Sequence, residues 1–187
     1  NDLALTLGLT ELDANGAADS VIRGLTRTID LARVTRDDGS SRCYGTVLAS
    51  GFDSKVNDRA NRMRWPRGHA RYNIALLIEF LKLRGMPYDV ELTLEDGSLT
   101  RVTGDLVMAT VGNGRTYGGG IPICPDADPA DGVLDVTLVR PSGRLRLLTL
   151  LPTVYKGTHT SASVVSTFRV RRVRLTSRGV TAYADGD

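Results

Sequence analysis

The chain has 187 residues, 41% of them hydrophobic, with 24 Lys or Arg against 21 Asp or Glu and a net charge of +3. That is enough apolar material for one compact core and not for two, and no run reaches the roughly 18 apolar residues that a membrane-spanning helix needs. With 5% aromatic residues and no motif interleaving them with basic ones, nucleic-acid binding is poorly supported; a mild pull toward anionic lipid surfaces fits the charge equally well.

The first residue is Asn1 rather than methionine, so the chain is expected to be a fragment or a processed product. Residues 1–9, NDLALTLGL, place a polar cap before a short helix that stops at Gly8. Across residues 17–28, Val21, Ile22 and Leu25, with Ile29 just beyond, fall at helical spacing behind an Asp19 or Ser20 cap. Residues 29–36 then read as a strand, Asp37, Asp38 and Gly39 as a hairpin turn, and residues 43–50 as its partner strand. Cys43 and Cys124 have neither zinc spacing nor the number for a disulfide framework, and are expected to be reduced, buried, small apolar side chains of an intracellular protein.

Gly51 ends that strand, and GFDSKVNDRANRM begins a helix that Asp53 can cap. Asp53 or Asn57 either forms the wall of a site or simply caps the helix and joins its solvated face. Residues 68–84 form the longest helix, with Ile74, Leu77, Ile78 and Leu81 at i, i+3, i+4 and i+7. Leu76, Phe80 and Leu83 widen its apolar face, which is expected to enter the core or in part to line an acyl-chain channel. Two or three strands follow between residues 88 and 111, joined by a tight turn at Glu95, Asp96 and Gly97 and broken at Gly104.

Residues 107–136, VMATVGNGRTYGGGIPICPDADPADGVLDV, concentrate the chemistry: six glycines and the carboxylates Asp126, Asp128, Asp131 and Asp135 lie between two strand-like flanks. The Gly-x-Gly at 112–114 lacks the third glycine of a dinucleotide fingerprint, and no Gly-Lys-Ser/Thr phosphate loop occurs here. Asp126, Asp128 and Asp131 suit a hard cation, which takes several oxygens, some from backbone carbonyls. An EF-hand is excluded, because its sixth and twelfth positions would fall on Asp131 and Thr137. A plain cluster of Asx turns ending at Gly132 is the other reading.

Beyond it, residues 142–151 read as a helix behind a Ser142 cap, ending before Pro152. The closing TFRVRRVRLTSRGVTAYADGD reads as a hairpin. Its apolar alternation slips between Val170 and Val173, which implies a bulge at Arg171 and Arg172. Arg169, Arg171, Arg172, Arg174 and Arg178 form either a solvated sheet face or a surface for phosphate and anionic head groups. His69 and His159 read as structural, and no Ser or Cys has a visible base partner, so hydrolase chemistry has no support.

The stretch GNGRTYGGGIPICPDADPADGVLDV resembles the signature of the bacterial lipid kinases in the diacylglycerol kinase and sphingosine kinase superfamily. Other pieces follow in the family's order: NDLALTLGL, GFDSKV at 51–56, HARYNIALL from 69, KGTH at 156–159 and DGD at 185–187. The resemblance implies ATP-dependent phosphorylation of a lipid hydroxyl, with diacylglycerol the favoured substrate and ATP and Mg2+ as cofactors. It makes Asn1 and Asp2 the end of an element beside the nucleotide, with the phosphate-binding N-terminal domain expected to precede them. It carries a structural cation site onto Asp128, Asp131 and the Val133 carbonyl, from the family's Asp-x-x-Asp-x-Leu pattern. It makes Asp185, with Asp187 as second candidate, the proton acceptor for the lipid hydroxyl, while Gly186 lets the backbone approach a phosphate. Asp187 departs from the glutamate usual in the family.

The fold expected is α+β, a mainly antiparallel sheet or sandwich with a few helices, forming the second, substrate-side domain of a two-domain enzyme. The implied setting is cytoplasmic and peripheral at the inner membrane surface, touching an anionic bilayer transiently, without nucleic acid; a homodimer is compatible with all of this. The alternatives are a non-catalytic lipid-binding module, or a kinase for a different lipid or a small polar acceptor.

Overall fold

A computed structural model describes residues 2–9, 13–65 and 69–186, without the side chains of His69 and Asn73. Among these residues are two short helices, α1 (Asp2–Thr6) and α2 (Ala14–Ile22), then a two-stranded antiparallel ribbon of β1 (Ala32–Thr35) and β2 (Ser41–Tyr44). The rest is built on one seven-stranded antiparallel sheet. Its strands are β3 (Val47–Gly51), β4 (Met86–Leu94), β5 (Leu99–Leu106), β6 (Met108–Gly112), β7 (Leu134–Val139), β8 (Val165–Ser177) and β9 (Ala182–Ala184), in the order β5-β4-β8-β7-β6-β3-β9. Helices α3 (Phe52–Arg62), α4 (His69–Leu81) and α5 (Arg144–Tyr155) pack beside it. The expected α+β class, dominated by antiparallel sheet, is what the chain adopts.

The sequence pattern explains the layers. In β4, Met86, Tyr88, Val90 and Leu92 alternate with more exposed neighbours and bury one face. They join Leu48, Val111, Val136, Leu138 and Val170 in a core that Ala32 and Tyr44 of the ribbon also enter. Each Val, Leu or Met side chain among them contributes roughly 1.5–3 kcal/mol when fully buried. Strands β3 and β6 are buried at every position, as central strands covered on both faces must be. A second cluster brings Val47, Met108 and Val139 against Phe80 of α4, Leu147 of α5, and Ile123 and Cys124 of the long loop between β6 and β7. Helices α3 and α4 meet through Val56, Ala60 and Ala75, with Arg59 paired to Glu79 beside them.

Several local expectations are corrected. Helix α2 starts at Ala14, because the Asp13 carboxylate accepts the Gly16 amide at 2.7 Å and supplies the cap expected of Asp19 or Ser20. The expected strand 43–50 is two strands, separated where Gly45 and Thr46 turn their amides toward Asp185. Gly104 does not break β5; it adopts φ +126° and stays paired with Tyr88. Helix α5 begins after Gly143, with no side-chain cap, and runs through Pro152 to Tyr155. Pro152 lies inside the helix and has no amide to donate to the Leu148 carbonyl one turn earlier. Cys43 is exposed rather than buried; Cys124 is buried, and both are free thiols.

The final hairpin is also absent, since β9 pairs with β3 at the far edge of the sheet instead of with β8. The bulge, by contrast, is present: Thr93 faces Arg172 and Leu94 faces Val170, leaving Arg171 over, and its side chain donates to the Glu95 carbonyl at 2.8 Å. The turn at Glu95, Asp96 and Gly97 forms as expected, with the Ser98 amide and hydroxyl donating to Asp96.

Candidate functional site

Segments distant in sequence converge on the glycine-rich loop after β6. Gly118, Gly119 and Gly120 all adopt positive φ, between 61° and 105°, which turns the Gly119 and Gly120 amides onto the Asp2 carboxylate at 3.1 and 2.8 Å. Tyr117 and Ile121 close the loop as an antiparallel bridge. At its start, the Asn113 and Gly114 amides donate to the Thr46 carbonyl at 2.8 Å. The buried Asn113 side chain donates to the carbonyls of Asp30 and Gly45 at 3.0 and 3.1 Å.

The C-terminal turn enters the same network. Asp185 is the one non-glycine residue among those described with a positive φ, 53°, a strained conformation of the kind that gathers at functional sites. Its carboxylate accepts the Gly45 amide at 2.9 Å, the Thr46 amide at 2.9 Å and the Thr46 hydroxyl at 2.6 Å. Burial raises the Asp185 carboxyl, but the Thr46 hydroxyl, the two amides and the Arg42 charge outweigh it and hold the group below its usual range. A carboxylate so saturated is a weak proton acceptor. The geometry gives Asp185 the job of anchoring the turn, which weighs against the base role expected of it. Next to it, the Gly186 carbonyl accepts the Asn57 side chain at 3.3 Å, and Tyr72 donates to the Asn57 oxygen at 2.9 Å. Asn57 thus lies beside the C-terminal turn. Asn1 and Asp187 lie outside the described residues.

The acidic half of the loop is held by its own turns. The Asp128 carboxylate accepts the Ala130 amide at 3.0 Å and that of Asp131 accepts the Val133 amide at 3.1 Å. Asp30, not singled out from the sequence, accepts the Gly132 amide at 2.8 Å and donates its own amide to the Pro129 carbonyl at 2.7 Å. Arg169 donates to Asp131 at 2.8 Å and lies 3.4 Å from Glu95, so one of the strand arginines braces this loop. Among the described residues no three His, Cys, Asp or Glu side chains are arranged to hold a metal ion. The set expected from Asp128, Asp131 and the Val133 carbonyl has two carboxylates and one main-chain oxygen within a single turn. Its all-oxygen chemistry suits a hard divalent cation, with Arg169 already holding one Asp131 oxygen.

Two partly buried acids stand behind the loop. Asp53 does not cap α3, whose N-cap residue is Gly51. It is buried against the Tyr117 hydroxyl, and its Oδ2 has no partner. Burial pushes its carboxyl up to about 6, against the lowering effect of Tyr117. Burial also raises Asp135 to about 6, opposed by Arg169 and reinforced by Asp131, Asp126 and Glu95. His159 is structural as expected: it is buried, and its Nε2 lies 3.1 Å from the Ile123 carbonyl.

Asp30, Thr46 and Asn113 were not identified as site residues from the sequence. The signal for Thr46 was the glycine interrupting a strand pattern at CYGTVL, which marks a backbone irregularity. Asp30 and Asn113 act through main-chain groups far away in sequence and left no such mark.

Residues 46–187 match the family described as the YegS C-terminal NAD kinase beta sandwich-like domain. Over all 187 residues the chain is 48% identical to a diacylglycerol kinase of Mycobacterium tuberculosis (strain H37Rv), covering 59% of that protein. It is 23% identical to a diacylglycerol kinase of Bacillus subtilis (strain 168), over 94% of the chain and 55% of the relative. A crystal structure of a diacylglycerol kinase from Bacillus anthracis (Sterne) superposes with TM-score 0.61 at 17% identity, covering 99% of this chain and 56% of the other, and shows the shared fold. The chain thus spans somewhat over half the length of these relatives.

Proposed function

The chain belongs to the YegS C-terminal NAD kinase beta sandwich-like domain family, and on that basis we propose that it is the substrate-side domain of a lipid kinase, transferring a phosphoryl group from ATP to the hydroxyl of diacylglycerol. The observation that carries the reading is the convergence described above. In a chain 48% identical along its whole length to a mycobacterial diacylglycerol kinase, Asp2, the glycine loop, the 128–133 turn and the Asp185 turn form one hydrogen-bonded network. The nucleotide's phosphates would be held largely by the remainder of the parent protein, since this chain has no phosphate loop of its own.

Phosphoryl transfer needs positioning and relief of developing charge more than covalent help from the protein. Asp2 fixes the glycine loop through two amides, and with Asn1 and Gly186 it would border the nucleotide. Asp185 anchors the closing turn to Gly45 and Thr46, and the group to accept the hydroxyl proton would be Asp187, two positions on in the sequence. A base must come within roughly 2.6–3.2 Å of the proton it takes, and Asp187, one methylene shorter than glutamate, would reach it directly or through one water. Asp128, Asp131 and the Val133 carbonyl would hold a structural cation that stiffens the loop, and magnesium accompanying ATP would offset phosphate charge. The test is an acceptor panel with the full-length protein and ATP. Phosphorylation of diacylglycerol well above sphingosine, monoacylglycerol and free sugars is expected; turnover confined to a small polar acceptor would contradict the reading.

A further inference from the structure

Arg169 braces the 128–133 turn through a group that the cation site also needs. It faces Asp135 across the pairing of β7 with β8, and its Nη2 donates to Asp131 Oδ2 at 2.8 Å. Asp131 Oδ1 accepts the Val133 amide at 3.1 Å, so both oxygens of this carboxylate are engaged. Arg169 also has a second acid within reach, its Nε lying 3.4 Å from Glu95 Oε2. The backbone holds Glu95 there: its amide donates to the Arg169 carbonyl at 3.1 Å, and its carbonyl accepts the Arg171 side chain at 2.8 Å. One guanidinium therefore sits between a proposed cation ligand and a carboxylate that takes no part in the cation site.

We propose that Arg169 sets the affinity of the cation site: guanidinium and divalent cation compete for Asp131 Oδ2, and Glu95 takes over the guanidinium when the cation takes the oxygen. The inference rests on the site proposed above at Asp128, Asp131 and the Val133 carbonyl, and adds the residue that decides how tightly it binds. Two positive groups on one oxygen repel at short range, and a site with two carboxylates depends on both of their charges to hold a hard cation. Arg169 offsets one of those two charges. A hydrogen bond to a ligand carboxylate can instead assist a metal by orienting the ligand, but the Val133 amide already orients Asp131. The side chains of Arg169 and Glu95 are half-exposed, which leaves the guanidinium room to turn from one acid to the other.

The experiment is titration of the nucleotide-free, full-length protein with Mn2+, free Mn2+ being read by electron paramagnetic resonance and the melting temperature followed in parallel. Asp128→Asn identifies the binding that belongs to this site by removing it. Arg169→Gln is expected to bind Mn2+ about 10-fold more tightly than wild type, and Glu95→Gln about 3-fold more weakly, since the guanidinium then has only Asp131 to pair with. In the double variant the Glu95 effect should disappear, leaving binding as tight as in Arg169→Gln. An orienting brace gives the opposite sign. Equal or weaker binding by Arg169→Gln, with the Asp128-dependent site present, overturns the proposal and leaves the cation site standing; so does a Glu95 effect of the same size with and without Arg169. Mn2+ binding that Asp128→Asn leaves unchanged, or no binding at all, removes the cation site and the proposal with it. The expected order of affinities in a protein without kinase activity upholds the proposal and counts against the enzymatic reading alone.

Discussion

Replacing Asp53 by asparagine probes the buried acid between α3 and the glycine loop. Its carboxyl is raised from 3.8 to about 6, with burial as the leading cause, so the folded protein keeps a proton that the unfolded chain releases. The stabilisation is fully present below pH 3.8 and is lost as pH rises through about 6. Roughly two pH units at about 1.36 kcal/mol each make about 3 kcal/mol. The amide introduced by Asp53→Asn does not titrate, so the stability of the variant relative to wild type should improve by about 2 kcal/mol between pH 4 and pH 7, the rest of the change lying below pH 4. The variant carries an offset of about 1–3 kcal/mol, because its amide nitrogen would occupy the place of the unpartnered Oδ2. That offset is the same at every pH and drops out of the comparison, and the amide oxygen can still accept the Tyr117 hydroxyl. Urea denaturation of both proteins at pH 4, 5, 6 and 7 measures the difference. A difference that does not change with pH would refute the placement of an ionisable, desolvated Asp53.

Other tests follow from single contacts. In Gly112→Ala the added Cβ would stand 2.8 Å from Cys124 Cβ and Sγ and from the Gly114 carbonyl, an overpacking expected to cost about 1–3 kcal/mol and to lower the melting temperature. A thiol reagent should label exposed Cys43 promptly and leave Cys124, buried and pushed up to about 12, unreactive until the protein unfolds; equal rates would contradict the packing at the loop. Asp185→Asn should destabilise by about 1.5–3 kcal/mol at pH 7 through weakened charge-assisted bonds. Because its folded pKa is lowered from 3.8, the deficit should persist above that pH and shrink as pH falls below it; a deficit that grows in acid would refute the anchoring role.

What could be read from the sequence was set locally. The alternation of β4, the turn at Asp96 and Gly97, and the one-residue slip at Arg171 all follow from side-chain period and turn chemistry, and the structure reproduces each. The pairing of β9 with β3 could not be read in this way, because an alternating strand does not specify its neighbour. That choice depends on Asp185 finding the Gly45 and Thr46 amides some 140 positions earlier. The cap expected of Asp53 failed for a related reason. An acid two residues into a helix is a good cap in isolation, but Tyr117 from a distant loop packs over it and Gly51 takes the cap. In the site, Asp2 and the glycines were visible as a motif, whereas Asp30 and Asn113 contribute through carbonyl and amide contacts that leave no sequence pattern.

The most direct test of the account is the rate at which the purified full-length protein forms phosphatidic acid from radiolabelled ATP and diacylglycerol in anionic vesicles with magnesium, wild type beside Asp187→Asn. The account predicts labelled phosphatidic acid from wild type, and a loss of about 10²-fold or more in the variant with its melting temperature unchanged. No labelled phosphatidic acid from a folded wild-type protein, or near-normal turnover by Asp187→Asn, would contradict it.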